Sequence, residues 1–160
     1  MSRTKAFLFT FFISMLPIVE LRGAIPFAAT INTIPRITFL EAYPVALLGN
    51  MLPVPFIILF FNFFFKVFRN VKYIGNIFSK VHEKATTHAD KIQKYALWGL
   101  YVFVAIPLPG TGAWTGAVIA SVLEMKLWKA FLVIFLGVIT SGLIMGFVSY
   151  GLLELITTLF

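Results

Sequence analysis

The sequence predicts an all-α integral membrane protein: two inverted repeats, each a re-entrant helical hairpin followed by a transmembrane helix. Three observations predict it. The chain is 60% hydrophobic and only 12% charged, with a mean hydropathy of +0.96, too little polar surface for a water-soluble domain of this size. Two apolar stretches are interrupted by Pro and Gly, and the arms beside each interruption are shorter than the roughly 20 residues a spanning helix needs. The order short arm, break, short arm, span then occurs twice.

The elements follow in chain order. Residues 6–16 form the first arm. Its basic start, Arg3 and Lys5, resembles a secretory leader, but Glu20 and Arg22 stand where a small-residue cleavage site would lie, so the segment reads as retained. The first break is Pro17-Ile-Val-Glu20-Leu-Arg22-Gly23-Ala-Ile-Pro26. A helix is expected to resume near Ala24, with Pro26 in its first turn, where a missing N–H costs nothing. Residues 31–36 read as a loop and 37–65 as a span softened by Pro44, Gly49, Pro53 and Pro55.

Residues 66–94 carry Lys66, Arg69, Lys72, Lys80, Lys84, Lys91 and Lys94 against Glu83 and Asp90. Val67, Val71, Ile74, Phe78 and Val81 recur at helical spacing, which predicts an amphipathic helix on the membrane surface. Thr87-x-x-Asp90 is a candidate capping box. This cluster makes the net charge of +7 a positive-inside signal rather than a nucleic-acid footprint, and it puts 66–94 in the cytoplasm.

Residues 95–106 are the second arm, anchored at the interface by Tyr95 and Trp98. The second break runs through Ala105-Ile-Pro-Leu-Pro-Gly-Thr-Gly-Ala-Trp-Thr-Gly-Ala117. Pro107 and Pro109 lack N–H groups and push Ile106 and Leu108 towards extended geometry. Pro109-Gly110 signals a turn, and Thr111 is a candidate N-cap. Gly112, Gly116 and Ala120 then recur every fourth residue, as Gly142 and Gly146 do in the last span (130–150); such stripes let helices approach closely. Lys126, Trp128 and Lys129 mark an interface. The chain thus divides into repeat one (1–65), a basic linker (66–94), repeat two (95–150) and a tail (151–160), all one membrane domain.

The repeat has a register. Pro17 and Pro107 stand 90 residues apart, as do Arg36 and Lys126, while Ala42, Val45, Leu48 and Gly49 meet Ala130, Val133, Leu136 and Gly137 at an offset of 88. Two topologies remain open. In the preferred one each arm–break–arm enters and leaves by one face; in the other, 6–30 and 95–122 are full spans. Both leave 66–94 in the cytoplasm.

Broken backbone at membrane depth is tolerated only where it is buried in protein or lines a wet cavity, and transporters place substrate sites there. The two breaks are therefore expected to face each other. A charge at mid-bilayer costs roughly 2.5–3.5 kcal/mol on insertion scales, so Glu20 and Arg22 should face a cavity or pair; snorkelling to head groups is the plainer alternative. Half-helix N-termini near Ala24 and Gly112 offer unpaired N–H donors that attract anions. The predicted substrate-binding set is Glu20, Arg22, Gly23, Pro107, Pro109, Gly110, Thr111, Gly112 and Trp114. Asn50 and Thr140, with Ser141 at similar depth, are candidates to line a path, although interhelical hydrogen bonding is the commoner role of such residues. His82 and His88 read as solvated rather than metal-binding. The sequence contains no cysteine, hence no thiolate metal site. It shows no nucleophile–base pair and no phosphate loop, so it reads as a non-enzyme.

At Pro107-Leu-Pro-Gly-Thr-Gly-Ala-Trp-Thr-Gly-Ala117 and Glu20-Leu-Arg-Gly-Ala-Ile-Pro26 the chain resembles the small multi-drug export protein family, over nearly its whole length. That family is similar, more remotely, to the DedA/VTT membrane proteins. The resemblance implies paired re-entrant hairpins in inverted repeats and, among substrates, polyprenyl phosphates and lipids. It implies a functional acidic residue in the first hairpin, a role that Glu20 matches by position. The arginine pattern departs, because the second break carries no charge and Arg22 lies in the first.

The expected function is transport of an amphiphile with an anionic head group, such as a polyprenyl phosphate or phospholipid, across the plasma membrane. Export of small organic cations, with Glu20 as the cation site, is the rival of the same class, and a non-transporting scaffold the rival of another. No cofactor is expected; a proton or sodium ion is the candidate coupling species. The expected partners are the bilayer, the amphiphile and, as a candidate assembly, a second copy of the chain, with no nucleic acid.

Overall fold

The computed structural model describes residues 2–31, 33, 36–68 and 89–159. Among these it is helical throughout: α1 (Arg3–Met15), α2 (Glu20–Thr30), α3 (Phe39–Met51), α4 (Val54–Phe68), α5 (Ala89–Ala105), α6 (Ala113–Val122) and α7 (Leu127–Leu159). Residues 69–88 of the expected surface helix, with His82, His88 and the Thr87 end of the capping box expected to open the next helix, lie outside the described residues.

Two stretches are long and apolar enough to cross a membrane, Phe39–Val67 and Leu127–Gly151. The first is α3 and α4 in succession, parted at Leu52 and Pro53, because Pro53 and Pro55 each lack the N–H that would continue the ladder. By contrast α1 and α2, at 13 and 11 residues, reach only about 20 and 17 Å at 1.5 Å per residue.

Three boundaries differ from the sequence reading. Helix α2 begins at Glu20, not near Ala24, because the turn at 16–19 already supplies acceptors: Glu20 N–H donates to the Leu16 carbonyl at 2.9 Å and Gly23 N–H to that of Val19 at 2.9 Å. Pro26 therefore sits inside the helix and removes one bond, to the carbonyl of Arg22. Helix α5 begins at Ala89, ahead of residue 95. Helix α7 continues through the expected tail to Leu159.

Contacts fix which ends meet. Arg3 pairs with Glu41, and Glu41 also accepts the backbone N–H and the hydroxyl of Thr38 at 2.9 and 3.0 Å, holding the start of α1 against the start of α3. Ala6, Ala28, Ile37 and Ala42 bury one another there, with Tyr150 of α7 packed on them. The end of α2 thus returns to the start of α1. In the second half Ser121, at the end of α6, donates to the Ile58 carbonyl of α4 at 3.3 Å.

Glycines set the close approaches. Gly49 of α3 lies against the Ser14 side chain and the Phe11 carbonyl of α1, and Gly137 of α7 lies against Val104 and the Tyr101 carbonyl of α5. The glycines are 88 apart and their partners 90 apart, the two offsets of the sequence repeat, so the same arm-on-span contact is made twice. Gly142 and Gly146 receive Tyr43 and Phe39 of α3. Gly116 packs on α5, where an added Cβ would stand 2.7 Å from Val104 Cγ2. Gly116→Leu is therefore expected to destabilise by about 1–3 kcal/mol or more, the range for overpacking a filled core. A detergent-extracted variant melting like the wild type would place that face outside the packing.

Candidate functional site

The turn at Leu16–Val19 separates α1 from α2, and 106–112 separates α5 from α6. The structure brings these breaks together through backbone and side chain alike. Trp114 donates its indole N–H to the Met15 carbonyl at 3.1 Å. Arg22 reaches across in the other direction, donating to the carbonyls of Leu108 and, at 3.3 Å, Val104. Glu20 accepts the backbone N–H groups of Ala113 at 3.2 Å and Trp114 at 3.0 Å.

These contacts have one electrostatic logic. Ala113 and Trp114 open α6, where unpaired N–H groups carry partial positive charge, and Val104 lies in the last turn of α5, where unpaired carbonyls carry partial negative charge. The carboxylate sits on the first and the guanidinium on the second. Glu20 and Arg22 do not bond to each other; each neutralises a helix end supplied by the other half of the chain. Hydrogen bonds to an ionised partner are roughly twice as strong as neutral ones, which offsets the burial of Glu20, 4% exposed.

The backbone is bent to achieve this. Glu20 has φ +50°, a left-handed conformation that costs a residue with a Cβ roughly 1–2 kcal/mol. Opposite it, Gly112 has φ +143°, and a Cβ there would run into the Glu20 carboxylate, 2.8 Å from its Cδ. Gly112 is thus the one residue type that both turns the chain into α6 and leaves room for an acid on its N-terminus.

Thr111 is not the N-cap that the sequence suggested. Its hydroxyl turns back to the carbonyls of Ile106 at 2.8 Å and Leu108 at 2.9 Å, tying the break itself. Gly112 occupies the cap position without a side chain to offer, and the capping oxygens arrive from Glu20. Pro109 and Gly110 lie exposed on the outside of the turn, with Pro107 half-buried. Gly23 packs on Val19 of its own break.

A narrow seam, too tight for a water molecule, runs between Glu20, Arg22, Asn50, Gly112, Val138 and Ser141. Asn50 and Ser141 are 2% and 3% exposed, and among the described residues Asn50 Oδ1 and Ser141 Oγ find no hydrogen-bond partner. Arg22 is the other charged group that lines the seam. Thr140, expected on the path, faces elsewhere: it shares a 3.0 Å hydrogen bond with Tyr101 and donates to Leu136 O at 3.0 Å. Ser141 takes its place, and the helical spacing from Val138 to Ser141 and Gly142 is the signal that would have separated the two.

A family model described as "Putative small multi-drug export protein" matches residues 20–144. The match begins at Glu20, directly after the first turn, covers the second break and ends within α7. No curated protein and no solved structure matches the chain.

Proposed function

This chain belongs to the small multi-drug export protein family, and on that premise we propose that its substrate is an amphiphile whose anionic head group binds between the two breaks. Membrane transport is the function that the family supports. The finer reading rests on one observation: an anion already occupies that place. The Glu20 carboxylate lies on the Ala113 and Trp114 N–H groups, with Arg22 lining the same seam. A phosphate or carboxylate head group would meet the same donors, and the Asn50 amide and Ser141 hydroxyl would add to them.

For a head group to bind, Glu20 must leave those N–H groups. Protonation makes that exchange neutral, since one negative charge replaces another, and a proton needs no room in a seam this tight. Glu20 is therefore the proposed proton carrier, and no bond to the substrate is made or broken. The experiment is transport by the purified protein in liposomes. Alkyl phosphates should move, faster with a proton supplied, and a lipophilic quaternary ammonium ion should not. The second reading, cation export, is favoured by the unpartnered oxygens of Asn50 and Ser141 beside Glu20; the reverse selectivity would establish it.

The architecture that serves this function is a pair of inverted re-entrant hairpins, α1–α2 and α5–α6, in a multi-pass plasma-membrane protein with 66–94 in the cytoplasm. The doubled glycine contact supports the repeat. The Arg3–Glu41 pair and the Ser121–Ile58 bond support opposite open ends for the hairpins. The chain has no native cysteine, so Thr4→Cys and Thr86→Cys can each be labelled without background. Impermeant reagent should reach them from opposite faces; labelling of both from one face would overturn the inverted arrangement.

A further inference from the structure

We propose that the groove between α5 and α7 holds the hydrocarbon tail of the transported amphiphile; this rests on the reading of the two breaks as its head-group site. The groove encloses about 410 Å³ and is walled by Leu97, Trp98 and Tyr101 of α5 and by Leu136, Ile139 and Thr140 of α7. Ligand clefts commonly run from ~300 to ~1,000 Å³.

Chemistry selects the occupant. The hydroxyls of Tyr101 and Thr140 bond to each other at 3.0 Å, and Thr140 is also bonded to Leu136 O. The wall thus offers a ligand paired hydroxyls and apolar surface, which suits a hydrocarbon chain and not a ligand seeking hydrogen bonds. Trp98 and Leu136, 61% and 53% exposed, form open lips through which a chain can enter sideways.

Position selects the substrate's own tail over bulk lipid. Tyr101 lies on the groove, and Val104, one turn along α5, accepts from Arg22 and lines the head-group seam. On α7, Val138 lines the seam and Ile139 the groove. The two sites flank one helix contact, where Val104 packs on Gly137. An amphiphile with its head at Arg22 would have this groove one turn of α5 away, on the other side of that contact.

The test uses hexadecyl phosphate and butyl phosphate, which share a head group and differ in tail. In proteoliposomes, Leu136→Trp, which fills the groove, is expected to lower hexadecyl phosphate transport by about tenfold, since buried methylenes carry the preference, and to leave butyl phosphate at the wild-type rate. Val133→Phe, on the same wall, repeats the test should Leu136→Trp fold poorly. Binding is read separately, as quenching of tryptophan fluorescence by tail-brominated hexadecyl phosphate. A saturable component that disappears in Trp98→Phe supports the groove. Equal loss of both substrates, no loss of either, or equal quenching by brominated phosphatidylcholine overturns it. Failure of the head-group reading looks different: Arg22→Ala would transport both phosphates normally, while the Trp98 component would still decide the groove.

Discussion

Gly112→Ala is expected to abolish transport and to destabilise the protein by about 3–5 kcal/mol, the range for leaving a buried charge without its partner. Two effects combine. The backbone at φ +143° resists any Cβ, a strain of order 1–3 kcal/mol, and the new Cβ occupies the place of the Glu20 carboxylate. Thermal melting in detergent measures the sum, and a double mutant separates the parts. Glu20→Gly removes the carboxylate and suits the left-handed backbone at φ +50°. Gly112→Ala/Glu20→Gly should therefore melt higher than Gly112→Ala alone, a non-additivity expected only of groups in contact. Additive losses would mean that the acid and the glycine do not meet.

The second large effect is at Arg22. Arg22→Ala removes the guanidinium that lines the seam, strips the Val104 carbonyl of its donor and leaves the Leu108 carbonyl to Thr111 alone. Arg22 is half-buried, and hydrogen bonds to a charged group contribute roughly 1.5–3 kcal/mol, which in binding terms is about tenfold or more. Arg22→Lys keeps the charge but loses the planar fork that serves two carbonyls at once. It should transport measurably, between wild type and Arg22→Ala. Glu20→Gln holds the residue in a neutral form, so whatever transport it retains should lose its dependence on pH. Initial rates at two pH values in liposomes check all three variants.

Much of this organisation was legible from residue types. Pro107, Pro109 and Gly110 interrupt an apolar run that would otherwise continue as one helix, and Glu20 and Arg22 are too costly in such a segment to be incidental. The offsets of 90 and 88 reappear as the contacts of Phe11 and Ser14 with Gly49 and of Tyr101 and Val104 with Gly137. What was not legible depends on tertiary contact. Thr111 has the chemistry of an N-cap, but local carbonyls at Ile106 and Leu108 compete for its hydroxyl, and the Glu20 carboxylate, 93 residues before Ala113, does the capping. Asn50, Thr140 and Ser141 look alike as residue types; helical spacing puts Ser141 on the face of Val138 and Gly142, but which face of α7 lines the seam is decided by packing, with Thr140 turned to Tyr101 of α5. Pro26 suggested a helix start, yet the turn at 16–19 had already supplied the acceptors for one.

Anion binding by the joined breaks, through Arg22 and the start of α6, is the proposal on which the others stand. Its most direct test is the initial rate of alkyl phosphate transport by Arg22→Ala in liposomes, with the rate for a lipophilic quaternary ammonium ion measured beside it. Phosphate transport is expected to fall to background while the protein still folds, and the cation should be carried by neither wild type nor variant. Phosphate movement at the wild-type rate in Arg22→Ala, or cation transport that survives in Arg22→Ala and vanishes in Glu20→Gln, would contradict it.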